Sequence, residues 1–167
     1  AKIPFIVNLQ IENLGELCGF GKIVINNGVL QRWMPQGGKW TFDADNRKKY
    51  PKDKHPPKVY FPSPSPFWTE AIAYVYKNFS ENPGEVSRNP TYPITHDEAQ
   101  AWFDQFLMFR FFDFGIYEDA IVEENSILNH SLLSPLMNTG LLLPAHVVKE
   151  ALNYATENTI PINSTEG

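Results

Sequence analysis

Cysteine is almost absent from this chain. Cys18 stands alone among 167 residues, which excludes an intrachain disulfide and a four-cysteine iron–sulfur cluster built from these residues. On its own it reads as a small buried or half-buried hydrophobe. Long apolar runs are also missing: none approaches the roughly 20 residues needed to span a bilayer, and Ala1-Lys2-Ile3-Pro4 lacks the features of a secretory signal. A soluble, cytoplasmic protein with no membrane partner is the expectation. The four histidines, His55, His96, His130 and His146, show no close ligand spacing, so no metal site is expected. Positive charge is scarce as well. A net charge of −5 argues against strong nonspecific nucleic-acid binding by the chain as a whole, since Lys and Arg at phosphates supply most of that affinity.

What the chain does have is a 43% hydrophobic composition, enough for one globular domain and too short for two comfortable ones. Its prolines cluster between Pro51 and Pro93, so the first half should hold a long irregular crossing. Ile3 to Leu9 and Lys22 to Leu30 are short apolar runs that read as strands or short helices, and Asn26-Asn27-Gly28 is the clearest turn signal. From Gly37 to Pro66 an ordered loop is expected, pinned by Trp40, Phe42, Tyr50, Tyr60 and Phe61. Helical periodicity starts near Pro66, where Ala71, Ile72, Val75, Tyr76 and Phe79 share a face, predicting a helix over 67–79. Thr95-His96-Asp97-Glu98 has the form of a capping box ahead of Ala99, Trp102, Phe103, Phe106 and Leu107. A further helix should start near Ser131 or Ser134 and end by Gly140. The next should carry Pro144 in its first turn and bury Val147, Val148, Ala151, Leu152 and Ala155. The fold class is mainly α: an irregular Pro/Gly-rich first half with short strands, then a helical second half.

Several residues could carry chemistry. Ser131 and Ser134 precede Pro135, where unpaired backbone N–H groups at a helix start favour an anion, so they read either as helix caps or as a phosphate seat. Tyr117 reads as a core aromatic or as a hydroxyl aimed at a ligand. Glu118 and Asp119 read as water-facing acids with no catalytic role. Gly37 to Arg47 has the look of a binding loop with Lys39 and Arg47 as anion holders, or of an anchored crossing. Arg47, Lys48, Lys49, Lys52, Lys54 and Lys58 form a basic run against Asp53, either a solvated loop or a DNA-backbone contact.

The order Phe114-Gly115-Ile116-Tyr117-Glu118-Asp119-Ala120, His130-Ser131-Leu132-Leu133-Ser134-Pro135 and Gly140-Leu141-Leu142-Leu143-Pro144 resembles the flavin-phosphate segment of the photolyase and cryptochrome superfamily. It is most similar to the deoxyribodipyrimidine photolyase-related branch, which includes prokaryotic (6-4) photolyases and iron–sulfur cryptochromes. The similarity extends to Gly37–Arg47 and Asn163–Gly167. The resemblance implies that Tyr117, His130, Ser131, Leu132, Leu133 and Ser134 contact FAD, with His130 standing where the family has threonine, and it implies no catalytic residue in this stretch. It further implies that residues 1–65 are a remnant of the N-terminal region with a long interdomain connection, and 66–167 the first part of the helical FAD-binding domain. An iron–sulfur cluster, an antenna pigment and damaged DNA belong, on this reading, to a full-length parent performing light-driven repair of pyrimidine photoproducts. This chain alone is then expected to be a fragment with little or no repair activity and exposed apolar faces that self-associate. Trp33, Trp40, Trp68 and Trp102 are expected to pack rather than form a photoreduction chain. The alternatives are a cryptochrome-like blue-light photosensor and a non-enzymatic helical interaction module that has lost the cofactor.

Overall fold

The computed structural model describes residues 25–26, 29–30 and 43–167. Strands β1 (Ile25–Asn26) and β2 (Val29–Leu30) pair antiparallel, Ile25 with Leu30 and Asn26 with Val29; of the Asn26-Asn27-Gly28 turn signal, only Asn26 is among the described residues. The segment Ile3–Leu9, Cys18, Trp33, Trp40 and the Gly37–Phe42 part of the candidate binding loop lie outside the described residues. From residue 43 onward the chain is helical: a 3-10 turn (Asp43–Asn46), α1 (Pro66–Phe79), α2 (His96–Phe109), α3 (Phe111–Phe114), a second 3-10 turn (Gly115–Tyr117), α4 (Ser134–Asn138), α5 (Pro144–Asn158) and α6 (Ile162–Glu166). The mainly helical expectation holds.

Local chemistry explains the starts and stops. Ser65 accepts the Trp68 N–H at 3.2 Å and Pro66 opens α1, where its missing N–H costs nothing. Thr95 accepts the Glu98 N–H at 3.3 Å, while the Glu98 carboxylate reaches back to the Ile94 N–H at 3.2 Å, one residue before the partner of a standard capping box. Helix α5 begins at Pro144 and stops at Thr159, whose φ of 54° is left-handed, the Thr159 and Ile160 N–H groups both closing on Ala155.

Helix α2 is the centre of the core. Ala99, Trp102, Phe103, Phe106 and Leu107 fall at i, i+3, i+4, i+7 and i+8, and all are buried with Phe111, Leu133, Leu136 and Leu142. Truncating Phe103, wholly enclosed, would cost about 3–5 kcal/mol. The other two long helices are covered less. The α5 residues Val147, Val148, Ala151, Leu152 and Ala155 are half-buried, and on α1 only Ile72 and Val75 of the expected stripe are even that. Exposed aromatics gather instead on α1 (Phe67, Tyr74, Tyr76, Phe79) and at the end of α2 and in α3 (Phe109, Phe112).

Residues 46–61 form a strap that runs antiparallel to 102–118. Phe61 faces Trp102 (5.9 Å between rings), and Tyr60 exchanges two backbone hydrogen bonds with the Gln105 amide (3.1 and 3.0 Å). Lys54 reaches Asp113, Tyr50 packs on Tyr117 at 4.7 Å, and the Lys48 N–H meets the Ile116 carbonyl. Tyr50, Tyr60 and Phe61 therefore do pin the loop, as their spacing suggested, even though Tyr60 and Phe61 stay exposed.

Candidate functional site

Residues 128–134 hold an unusual path. Leu128 and Leu132 both adopt positive φ, 48° and 59°, a region that non-glycine residues seldom enter. Side chains hold the path in place. Buried Asn129 accepts from the Tyr50 hydroxyl at 3.1 Å and donates to the Arg110 carbonyl at 3.4 Å, while the Trp102 indole N–H donates to the Leu132 carbonyl at 3.3 Å. The left-handed turn at Leu132 drops Leu133 into the core and leaves Ser131 half-buried.

Neither serine caps a helix. Leu133 occupies the N-cap of α4 in helical conformation, and its side chain has no atom that could accept a capping hydrogen bond. Ser134 is the first helical residue and exposed; Ser131 faces inward. With Leu133 it lines a cavity of about 350 Å³ whose other walls are Phe106, Phe111 and Phe114, Met137, the α5 residues Val147, Val148, Ala151 and Leu152, and residues 164–167. The walls are chiefly apolar; the Ser164 and Thr165 hydroxyls already donate to the Phe112 and Pro161 carbonyls, which leaves the Ser131 hydroxyl and the accepting side of Thr165 as polar points. His130, half-buried, Leu132 and Ser134 are not among the lining residues.

Tyr117 sits elsewhere, in a second buried cluster with Ala120 and Leu128. Its ring packs on Tyr50 and carries the Lys54 ammonium 4.8 Å from its centroid. Burial pushes the Tyr50 hydroxyl up, against the opposing pull of Lys54. Burial acts to lower Lys54, but the hydrogen bond and charge of Asp113, helped by Tyr117 and Tyr50, outweigh it, and the ammonium is held above its usual range. Trp68 is half-buried and donates to the Arg88 carbonyl, and Trp102 is core; both pack, as expected.

Three sequence-distant segments close on one another behind the cavity. Asn46, 3% exposed, donates to the Glu118 carboxylate at 3.1 Å and to the Asn163 carbonyl at 3.4 Å, and accepts from the Asn163 amide at 3.1 Å. Ser164 accepts the Gly115 N–H and donates to the Phe112 carbonyl, both at 2.9 Å. Gly115 is pressed so tightly to this turn that a Cβ there would lie 2.5 Å from the Asn163 carbonyl oxygen. Glu118 is thus a structural acceptor rather than a water-facing acid, and exposed Asp119 pairs with Arg47 at 3.7 Å. Lys48, Lys49 and Lys52 remain exposed.

Sequence reading passed over Arg110. It is 0% exposed, and its three guanidinium nitrogens have no hydrogen-bond partner among the described residues. Its Cζ lies 5.8 Å from the Phe106 ring centroid, and burial lowers its pKa to about 10. It therefore remains charged at neutral pH.

Among the described residues no group of His, Cys, Asp or Glu could hold a metal ion, and no helix is long and apolar enough to cross a membrane. Residues 28–91 match the sequence profile of the deoxyribodipyrimidine photo-lyase-related proteins. A (6-4) photolyase of Agrobacterium fabrum is 36% identical over 137 residues, which is 80% of this chain and 26% of that protein. An uncharacterized protein of Acanthamoeba polyphaga mimivirus is 38% identical over 53 residues, 31% of this chain and 41% of that protein. The chain thus spans about a quarter of the length of the bacterial relative. With the profile running along the strap and the longer match covering four-fifths of the chain, this protein belongs to the photolyase-related family.

Proposed function

We propose that this chain forms one wall of an FAD site in a light-driven flavoprotein acting on pyrimidine photoproducts in DNA. The observation that carries the reading is the cavity in which Ser131 and Leu133 of the His-Ser-Leu-Leu-Ser-Pro run meet the helix opened by Pro144. Its volume lies at the lower end of the range of about 300–1,000 Å³ typical of ligand sites, and it combines apolar walls with a few polar points, as such sites do. The residues fit part of a dinucleotide: the Ser131 hydroxyl and the Thr165 oxygen as polar points, and apolar surface from Phe106, Val148 and Leu152.

A bound flavin would supply light absorption and electron transfer, chemistry that no side chain here offers. The chain's own residues orient it and keep it dry. Trp102 fixes the Leu132 carbonyl and with it the direction of Ser131; Leu133 and Phe111 exclude water from the inner wall. The exposed lysines 48, 49 and 52 offer backbone contacts to DNA that would position without reading sequence.

Titrating FAD into the purified chain and following flavin fluorescence tests this. Saturable quenching is expected, and Val148→Trp, which fills the cavity from a half-buried position, should weaken it about tenfold or more. Equal affinity in both proteins, or no saturable binding by the wild type, would sink the assignment.

A further inference from the structure

Arg110 has no explanation in the fold. More than about nine in ten buried polar groups find a partner, and a buried charge without one is among the costliest features a protein can carry. The Phe106 ring, 5.8 Å from its Cζ, offsets only part of that cost. The same Phe106 ring is a wall of the cavity, so a single side chain belongs both to the orphaned cation's contact and to the cavity surface. Among the described residues no lysine, arginine or histidine lines the cavity, and the one titratable side chain there is that of Glu166, which is exposed and so well screened. Asp113, the acid nearest in sequence, is already engaged by Lys54.

We propose that this cavity selects an anionic amphiphile, an apolar body carrying one anionic group, and that Arg110 is the positioning residue that selects it. The guanidinium and the Phe106 ring are both buried, so on that side of the cavity the charge acts through a low dielectric and favours an anion across the ring without touching it. The ligand's negative charge becomes the partner that the fold omits. For flavins this rests on the reading above and deepens it: FMN or FAD is preferred over neutral riboflavin. For other amphiphiles it stands by itself.

Two ligand pairs test it on the whole chain, each setting an anion against a neutral molecule: anilinonaphthalene sulfonate against Nile red, two apolar dyes, and FMN against riboflavin, which share one ring system. Wild type should bind the sulfonate dye and FMN about tenfold more tightly than Arg110→Met does, with Nile red and riboflavin changed less than about twofold. Arg110→Lys, which keeps the charge, should keep the preference. The urea midpoint of Arg110→Met should stay at or above that of wild type, because the deleted charge had no partner to lose. Equal binding of the sulfonate dye by wild type and Arg110→Met would overturn the proposal, as would parallel loss of both dyes or a clear fall in the midpoint. Dye selectivity without flavin binding would sink the flavin assignment and leave this one standing. Flavin binding with no charge preference in either pair would do the reverse.

Discussion

Replacing Gly115 by alanine tests how the three closing segments hold together. The added Cβ would stand 2.5 Å from the Asn163 carbonyl oxygen and 2.6 Å from both the Asn163 carbonyl carbon and the Ser164 nitrogen. All three are backbone atoms, so no side chain can swing away. Forcing them apart costs about 1–3 kcal/mol by overpacking. Stretching the buried 2.9 Å bond from Gly115 N–H to Ser164 adds about 1–3 kcal/mol if it breaks. Against these, alanine stiffens the unfolded chain and returns about 0.4–1 kcal/mol. The net loss should be about 2–4 kcal/mol, which at a urea slope of about 2 kcal/mol/M moves the midpoint down by about 1–2 M. Ser164→Ala, which removes two hydrogen bonds without adding bulk, is the comparison, and the double variant should lose less than the sum because both act on one contact. Because Ser164 and Thr165 also line the cavity, Gly115→Ala should weaken FAD quenching as well. A urea midpoint within about 0.3 M of wild type would refute the steric argument.

Asn46→Ala should cost about 1–3 kcal/mol, since it strands a carboxylate oxygen and an amide in a buried setting, and limited proteolysis should then cut more readily within 46–61. Thr159→Gly should raise the thermal midpoint by the equivalent of about 0.5–1 kcal/mol, because a β-branched residue at φ 54° is strained and this one is exposed. Alkali should weaken the fold: Lys54 and Tyr50 both have raised pKa values when folded, so the native state holds protons that the unfolded state releases, and the urea midpoint should fall as the pH climbs past 10. Asp113→Asn should flatten that dependence, and an unchanged slope would count against the pairing.

Helix positions were legible because they rest on local signals. Pro66, the Thr95–Glu98 pair and Pro144 mark their starts within the reach of a few residues, and α2 carried an unambiguous 3.6-residue stripe. Burial was less legible: the stripe on α1 has the right period but only Ile72 and Val75 are even partly covered, since periodicity names a face and not what packs on it. The site was legible as a stretch and not as a surface. Ser131 and Ser134 looked equivalent in sequence, and only the left-handed turn at Leu132 turns the first toward the cavity and leaves the second in water. The roles of Asn46 and Asn129 depend on partners tens of residues away, which no local pattern encodes, and the burial of Arg110 is set by the packing around it rather than by its neighbours in sequence. The strongest available hint was Gly115, a glycine inside a helical stretch, where glycine needs a packing reason.

The strap has a temporal consequence. Asn46 reaches Asn163 across 117 residues, while α2 needs only neighbours within its own turns. Contacts of such sequence separation form slowly, because the entropy of closing the intervening loop is lost before any contact forms. The helices should therefore assemble first, and the 46–61 segment should dock last. On a ribosome, the residues around Asn46 would be made early and would wait for more than a hundred others before finding their place.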